Sequence, residues 1–209
     1  MKLNFQNDVI GLSAETPEEE GICALLAVAD GHIFQLHASS GRGMAFSMIG
    51  PEDSARRAPL NIVQSIAPRF APISNLAHTP FEFEGQHYAS IEGFWQGLKR
   101  SEPGERRAMA KCWGREVKHI GGSVDQPLEF EWQGVTIAAG SPEHWALMRA
   151  ACVAKFNQHD DARTALLATE ERWLTHKVRR DSRTIPGAIM ADIWMRIRAR
   201  LQDEPASRQ

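Results

Sequence analysis

The clearest periodic signal in the chain runs from Ile91 to Lys99. Ile91, Phe94, Trp95 and Leu98 recur at i, i+3, i+4 and i+7, which is one apolar face of a helix. Ser90 is a good N-cap, which makes Ile91 the first helical residue and Glu92 the second. Glu92, Gln96 and Lys99 share a neighbouring face, so Glu92 is expected half-buried at the rim of the core. Just upstream, Phe81 to Ala89 reads as a hairpin turning at Glu84-Gly85-Gln86. A second unit of the same kind follows. Leu128 to Ile137 alternates around Gln133-Gly134, and Ser141-Pro142-Glu143 then caps a helix with Trp145, Met148, Cys152 and Phe156 on its inner face. Both helices carry a glutamate at the second position.

The other elements are plainer. Pro103 to Lys118 reads as mostly helical, broken near Gly114. Asp160 is expected to cap a helix through Ala168. Pro186-Gly187 opens a last helix with Met190, Ile193, Trp194, Ile197 and Leu201 inward. Toward the start, Thr16-Pro17-Glu18-Glu19 carries an N-cap, a proline at N1 and a capping-box glutamate, predicting a helix to about Ala29. His32 to His37 and Met44 to Ile49 are strand-like, Ala55 to Leu60 is a short helix and Asn61 to Ile66 another strand. Gly41-Arg42-Gly43 lacks the helix start and lysine of a phosphate loop and reads as a hairpin turn. The expected organisation is a small N-terminal α/β extension over 1–70, a main domain over 71–203 and a polar tail over 204–209. The fold class is α+β, mainly α, with short β-hairpins.

Composition narrows the function only a little. The 209 residues are 43% hydrophobic and 24% charged, an ordinary soluble balance. A net charge of −2 gives no global pull toward nucleic acid, so any such contact needs a local patch. No apolar run approaches a membrane span, and no membrane partner is expected. The apolar stretch Gly21 to Ala29 follows Glu18-Glu19-Glu20 and does not look like a signal peptide. Cys23, Cys112 and Cys152 are odd in number and widely spaced, which predicts reduced thiols and a cytoplasmic setting. The eight histidines form no metal-ligand spacing, so neither a metal nor any other cofactor is expected.

A glutamate in a first helical turn is favourable in any helix, by a few tenths of a kcal/mol. What raises Glu92 above trim is a resemblance. Ser74-Asn75, Pro80-Phe81, a Gly turn, Tyr88, then Ser90-x-Glu92-x-Phe94-Trp95-Gln96-x-x-Lys99 resembles the signature of the NADAR family of YbiA-like N-glycosidases. Further pieces follow in order: Trp113-Gly114-Arg115, Met148 with Ala151 to Gln158 (containing Lys155-Phe156), Leu166-Leu167-Ala168-Thr169, an acid at Asp181, and Met195-Arg196-Ile197-Arg198. The likeness runs from about Ile73 to Leu201. It departs from the pattern after Asp181, where Ser-Arg-Thr-Ile-Pro-Gly replaces a Trp-Gly and a longer Gly- and Asn-rich loop. Gly93 stands where the family often has His, and Gly140 where it has a Trp, with Trp145 nearby.

The resemblance implies a YbiA-like multihelical fold and hydrolysis of an N-glycosidic bond. Such cleavage passes through an oxocarbenium-like ribosyl centre, which needs negative charge near the sugar, a base for water and relief of charge on the leaving nitrogen. It casts Glu92 as the group that stabilises the ribosyl cation or activates water, and Asp181 as a second acid that orients ribose hydroxyls or shares the base role. Asn75, Gln96 and Lys99 fall on its motif positions and are expected at the substrate. Trp95 or Trp145 could stack on a base. Lys177, Arg179, Arg180 and Arg183 form a basic strip around Asp181 suited to a diphosphate. The expected partner is a small nucleotide or ADP-ribosylated molecule, such as ADP-ribosyl-guanine or a phosphoribosyl intermediate of riboflavin-pathway type, with modified nucleic acid a further candidate. Two other classes stay open: a non-catalytic ADP-ribose- or nucleotide-binding module, and a structural protein on a retired enzyme fold.

Overall fold

The computed structural model describes residues 2–6, 9–20, 33–40, 43–49, 58–63, 66–122, 126–179 and 181–203. The chain divides into two compact units, 1–58 and 59–209.

In the first unit, β1 (Lys2–Gln6) pairs antiparallel with β2 (Val9–Ser13), a hairpin that the sequence pattern did not announce. The two expected strands are present as β3 (Ile33–Ser40) and β4 (Gly43–Ile49), antiparallel with a register shift between Leu36 and Ala38. The cap at Thr16 is formed: its hydroxyl accepts the Glu19 N–H at 3.3 Å. The Glu19 carboxylate accepts from the Glu15 N–H at 2.8 Å, one residue earlier than a strict capping box. Helical backbone is described for 17–20; the rest of that helix, Gly41-Arg42 and residues 55–57 of the expected short helix lie outside the described residues, and its last residue, Leu60, is strand.

The second unit opens with β5 (Leu60–Asn61) and a 3-10 turn, Pro68–Ile73. Then come β6 (Phe81–Phe83), β7 (Gln86–Tyr88), α1 (Ile91–Leu98), α2 (Pro103–Ala110) and α3 (Gly114–Gly122). The hairpin β8 (Glu129–Trp132) and β9 (Val135–Ala138) leads into α4 (Pro142–Gln158). α5 (Asp160–Leu167), β10 (Leu174–Thr175) and α6 (Gly187–Asp203) complete it. The fold is α+β, mainly α. Among the described residues no helix is long and apolar enough to cross a membrane.

Both hairpins turn on an X-Gly pair with positive φ, Glu84-Gly85 at 51° and 72° and Gln133-Gly134 at 49° and 77°. That is the two-residue turn whose twist suits antiparallel strands, and glycine makes it cheap. The two turns touch: the Gln133 carboxamide donates to the Glu84 carboxylate at 2.9 Å. Phe83 and Trp132 stack at 6.0 Å, and Phe94 of α1 sets its edge against both. The hairpins therefore lie side by side, and α4 packs on β6 while α1 packs on β8.

The core gathers Met148, Cys152 and Phe156 of α4 with Met190, Ile193, Trp194, Ile197 and Leu201 of α6, all buried. Each large apolar side chain so buried is worth about 1.5–3 kcal/mol. Buried polar groups tie the elements together. Lys155 is wholly buried and donates to the carbonyls of Ile73 and Ser74 at 3.1 and 3.0 Å. Burial lowers its pKa to about 7. Arg198 reaches from α6 to the Thr169 hydroxyl at 2.7 Å and the Arg172 carbonyl at 2.8 Å.

Two local expectations are corrected. His159, not Asp160, caps α5, because its Nδ1 accepts the Ala162 N–H at 3.4 Å. Of the strand expected over 61–66, the described residues form strand only in the pair Leu60–Asn61, and residues 64–65 lie outside the described residues. That partner is β10, and the pair is parallel: Leu60 opposes Leu174 and Asn61 opposes Thr175. Trp145, expected inward with Met148, packs half-buried against the core and gives its indole N–H to the Thr184 carbonyl at 2.7 Å.

Candidate active site

The N-terminus of α1 is pinned from three sides. Ser90 is extended, and its hydroxyl accepts the Gly93 N–H at 2.9 Å while donating to the Cys112 carbonyl at 2.8 Å. A Cβ on Gly93 would come within 2.7 Å of the carbonyl oxygens of Met109 and Cys112. The link between α2 and α3 thus occupies the space a larger residue would need at that position. The Glu92 N–H donates to the Asn75 carbonyl at 2.8 Å. Backbone hydrogen bonds therefore seat the helix end directly on the Ser74-Asn75 turn, which Lys155 holds from behind.

The Glu92 side chain is half-buried, as its helical phase predicts. Gln96, only 3% exposed, donates its amide to one Glu92 carboxylate oxygen at 2.8 Å. Gln96 is itself wedged: there is no room for a Cβ on Gly121 beside its carboxamide. Lys99 lays its ammonium over the Trp95 ring at 4.6 Å. Burial lowers the Lys99 pKa, and Glu92 pulls it back up.

Glu92 faces a cleft of about 400 Å³. One wall is Ser74, Asn75 and Leu76 with Val63; a second is Arg115 and Lys118 of α3; a third is His176, Lys177, Val178 and Arg179. The third wall is positioned by the β5–β10 pair. Asn61 accepts the Lys177 N–H at 2.7 Å and donates to the Lys177 carbonyl at 3.0 Å, and the Ile62 N–H bonds the Thr175 carbonyl at 2.8 Å. Among the described residues the cleft lining holds one carboxylate against four cations, in a chain whose formal net charge is −2. The Asn75 carboxamide oxygen is buried in this wall and, among the described residues, lacks a hydrogen-bond partner. Such an atom is costly to leave unmet.

A second cavity of about 230 Å³ lies beyond the opposite side of α1, against Tyr88, Phe94 and Trp132. Two of its charged side chains are already spent. Arg106 is committed to the carbonyls of Arg100 and Glu131 at 2.6 and 2.8 Å, and Glu84 to Gln133. Chemistry favours the Glu92 cleft.

The structure brings together only part of the expected set. Glu92 and Asn75 line the cleft, Gln96 backs Glu92, and Lys99 and Trp95 form a pair beside it without lining it. Lys177 and Arg179 of the expected strip line it; Arg183 is exposed and does not, and Arg180 lies outside the described residues. Asp181 is absent from the lining. Its carboxylate accepts the backbone N–H groups of Ser182 at 2.8 Å and Gly187 at 2.9 Å, closing the loop that starts α6. Trp145 is tethered to that same loop. Sequence reasoning gave no role to Lys118 and His176, and saw Arg115 only as part of a turn. The i, i+3 spacing of Arg115 and Lys118 was the available signal; His176 offered none. Among the described residues no three His, Cys, Asp or Glu side chains gather as a metal site.

The family model for bacteriophage protein GP30.3 matches residues 69–190, more than half of the chain. The chain belongs to the GP30.3 family. All cleft-lining residues except Val63 fall within the GP30.3 match. Among solved structures, the NMR structure of the Escherichia coli protein YbiA is similar, with a TM-score of 0.53 over 73% of this chain and 90% of that one, at 19% identity. The fold is therefore YbiA-like, as the motif order led us to expect, while the matching family model is that of GP30.3. No curated protein matches the chain.

Proposed function

We propose that the Glu92 cleft hydrolyses the N-glycosidic bond of an anionic, ribosylated nucleotide-type substrate. The observation that carries this reading is the pairing of one braced carboxylate with Arg115, Lys118, Lys177 and Arg179 around a single cleft. Cations on two walls suit the phosphates of a nucleotide or of ADP-ribose. A carboxylate between those walls suits the cation that forms at the ribosyl carbon as its bond to nitrogen breaks. ADP-ribosyl-guanine and a phosphoribosyl N-glycoside of riboflavin-pathway type both have this chemistry. The YbiA-like fold is compatible with the reading and does not choose a substrate.

The test is a panel of ribosyl, phosphoribosyl and ADP-ribosyl N-glycosides with chromatographic detection of the released base. The wild type is expected to release base from at least one member. Glu92→Gln, which keeps the size and the bond to Gln96, is expected to bind the same compound and lose turnover about 10²–10⁴-fold. Turnover by Glu92→Gln at the wild-type rate would sink the assignment. One observation favours a second reading, a non-catalytic ADP-ribose-binding module: the expected second acid, Asp181, is spent on backbone N–H groups. Calorimetric binding of ADP-ribose with no release from any panel member would support that module.

A further inference from the structure

N-glycoside hydrolysis asks for two things that one carboxylate cannot supply together. Negative charge must persist beside the ribosyl cation, and a proton must travel from the attacking water to the departing nitrogen. Among the described residues Glu92 is the one carboxylate in the cleft lining, and the Asp181 carboxylate is bound to Ser182 and Gly187 elsewhere. Another group has to carry the proton.

His176 is placed to do so. It lines the same cleft. Its Nδ1 sits 2.6 Å from the Ile62 carbonyl oxygen, and a carbonyl only accepts, so Nδ1 holds the hydrogen. In the neutral ring Nε2 is therefore the free lone pair. Among the described residues nothing bonds to Nε2, and it is not one of the buried unpartnered atoms, so it is open to solvent. The ring is also held still. It packs edge-on against the wholly buried Trp194 at 5.4 Å, and its backbone carbonyl lies so close to Gly187 that a Cβ there would not fit. Asp181, by binding the Gly187 N–H, fixes the start of α6 on which that backbone rests.

We propose that His176 is the proton-transfer residue of this cleft, working with Glu92; this rests on reading the cleft as an N-glycosidase site. Water attacks the anomeric carbon as its bond to nitrogen breaks, and the bonding pair leaves with the base. Nε2 takes a proton from that water and returns it to the leaving nitrogen. Glu92 stays ionised throughout and faces the ribosyl cation. No metal, oxidant or co-reactant enters the balance.

The experiment uses the full chain and whichever panel N-glycoside the wild type cleaves. His176→Asn retains an amide that can donate to the Ile62 carbonyl but has nothing at Nε2. It is expected to lower kcat about 100-fold with KM changed less than about threefold. His176→Ala is expected to lose turnover similarly and to regain part of it when free imidazole is added, a recovery that a merely structural role would not give. Wild-type kcat in His176→Asn, or no recovery of His176→Ala by imidazole, overturns the proposal. If those results appear while Glu92→Gln is inactive, only the role of His176 falls. If the wild type cleaves no panel member, the glycosidase reading falls and this proposal with it.

Discussion

In β6–β7–α1 and in β8–β9–α4, an X-Gly turn closes a short hairpin, a serine caps the following helix and a glutamate sits at its second position. In both, the serine hydroxyl accepts the N–H of the third helical residue, Gly93 in one and His144 in the other. The glutamates then part company. Glu92 is half-buried, braced by Gln96 and set in a basic cleft. Glu143 is exposed, and its pKa is lowered by hydrogen bonds from Ser141 and from its own backbone N–H. Identical local chemistry thus yields a cleft-lining carboxylate in one unit and a solvent-exposed one in the other. What separates them is tertiary: α3 and the 176–179 segment face Glu92, whereas Glu143 looks out to solvent.

The largest effect should come from exchanging the two carboxylates for amides in turn. Glu92→Gln is expected to cost about 10²–10⁴ in turnover. Glu143→Gln should leave both turnover and the unfolding midpoint close to the wild-type values, because solvent screens an exposed first-turn acid. Single-turnover rates for the two variants on one N-glycoside measure the contrast. Equal losses would mean that the cleft does not distinguish the units.

Much of this was legible in the chain. The i, i+3, i+4 pattern, the serine caps and the X-Gly turns fixed α1, α4 and both hairpins, because each is set by residues a few positions apart. The half-burial of Glu92 followed from helical phase alone. The third wall of the cleft did not, because His176 is aimed by a hydrogen bond to Ile62, 114 residues away, through a parallel pair only two residues long. No periodicity marks such a pair. Asp181 was placed by the resemblance alone, and the structure gives its carboxylate backbone N–H partners within six residues, which composition does not show.

The third helical positions supply the next contrast. Gly93 is pressed against two carbonyl oxygens that a Cβ would approach to 2.7 Å. Gly93→Ala should therefore destabilise by about 1–3 kcal/mol, more than the helix propensity alanine contributes. It should also lower affinity for the cleaved substrate, because the Glu92 turn must shift. Urea unfolding with a binding titration reads both; a Gly93→Ala variant as stable as the wild type would show that the 109–112 link yields.

In the other unit the third position is His144, 1% exposed, whose Nδ1 accepts the Gly140 N–H at 3.0 Å. Its remaining hydrogen, on Nε2, is buried without a partner. Burial lowers its pKa from 6.5 to about 4. The folded state thus binds this proton less readily than the unfolded chain does. The associated stability is fully present above about pH 6.5 and is lost as pH falls toward 4. The loss should be about 2 kcal/mol between about pH 7 and 4.5. His144→Asn, whose carbonyl can still accept from Gly140, should flatten that part of the profile. Parallel wild-type and variant slopes in urea unfolding would assign the acid sensitivity to other groups.

The smallest contrast lies in the caps themselves. Replacing either serine by alanine strands one helix N–H, worth about 1 kcal/mol. Ser90 has a second bond, to the Cys112 carbonyl at 2.8 Å, so Ser90→Ala also leaves that carbonyl unmet near the core. Its cap bond is the shorter as well, 2.9 Å against 3.3 Å for Ser141. Ser90→Ala should then cost about 1 kcal/mol more than Ser141→Ala, and only Ser90→Ala should disturb turnover, because only that helix end carries the cleft. Equal unfolding midpoints for the two variants would show that the Cys112 bond contributes nothing net, and that α1 is held in place by packing alone.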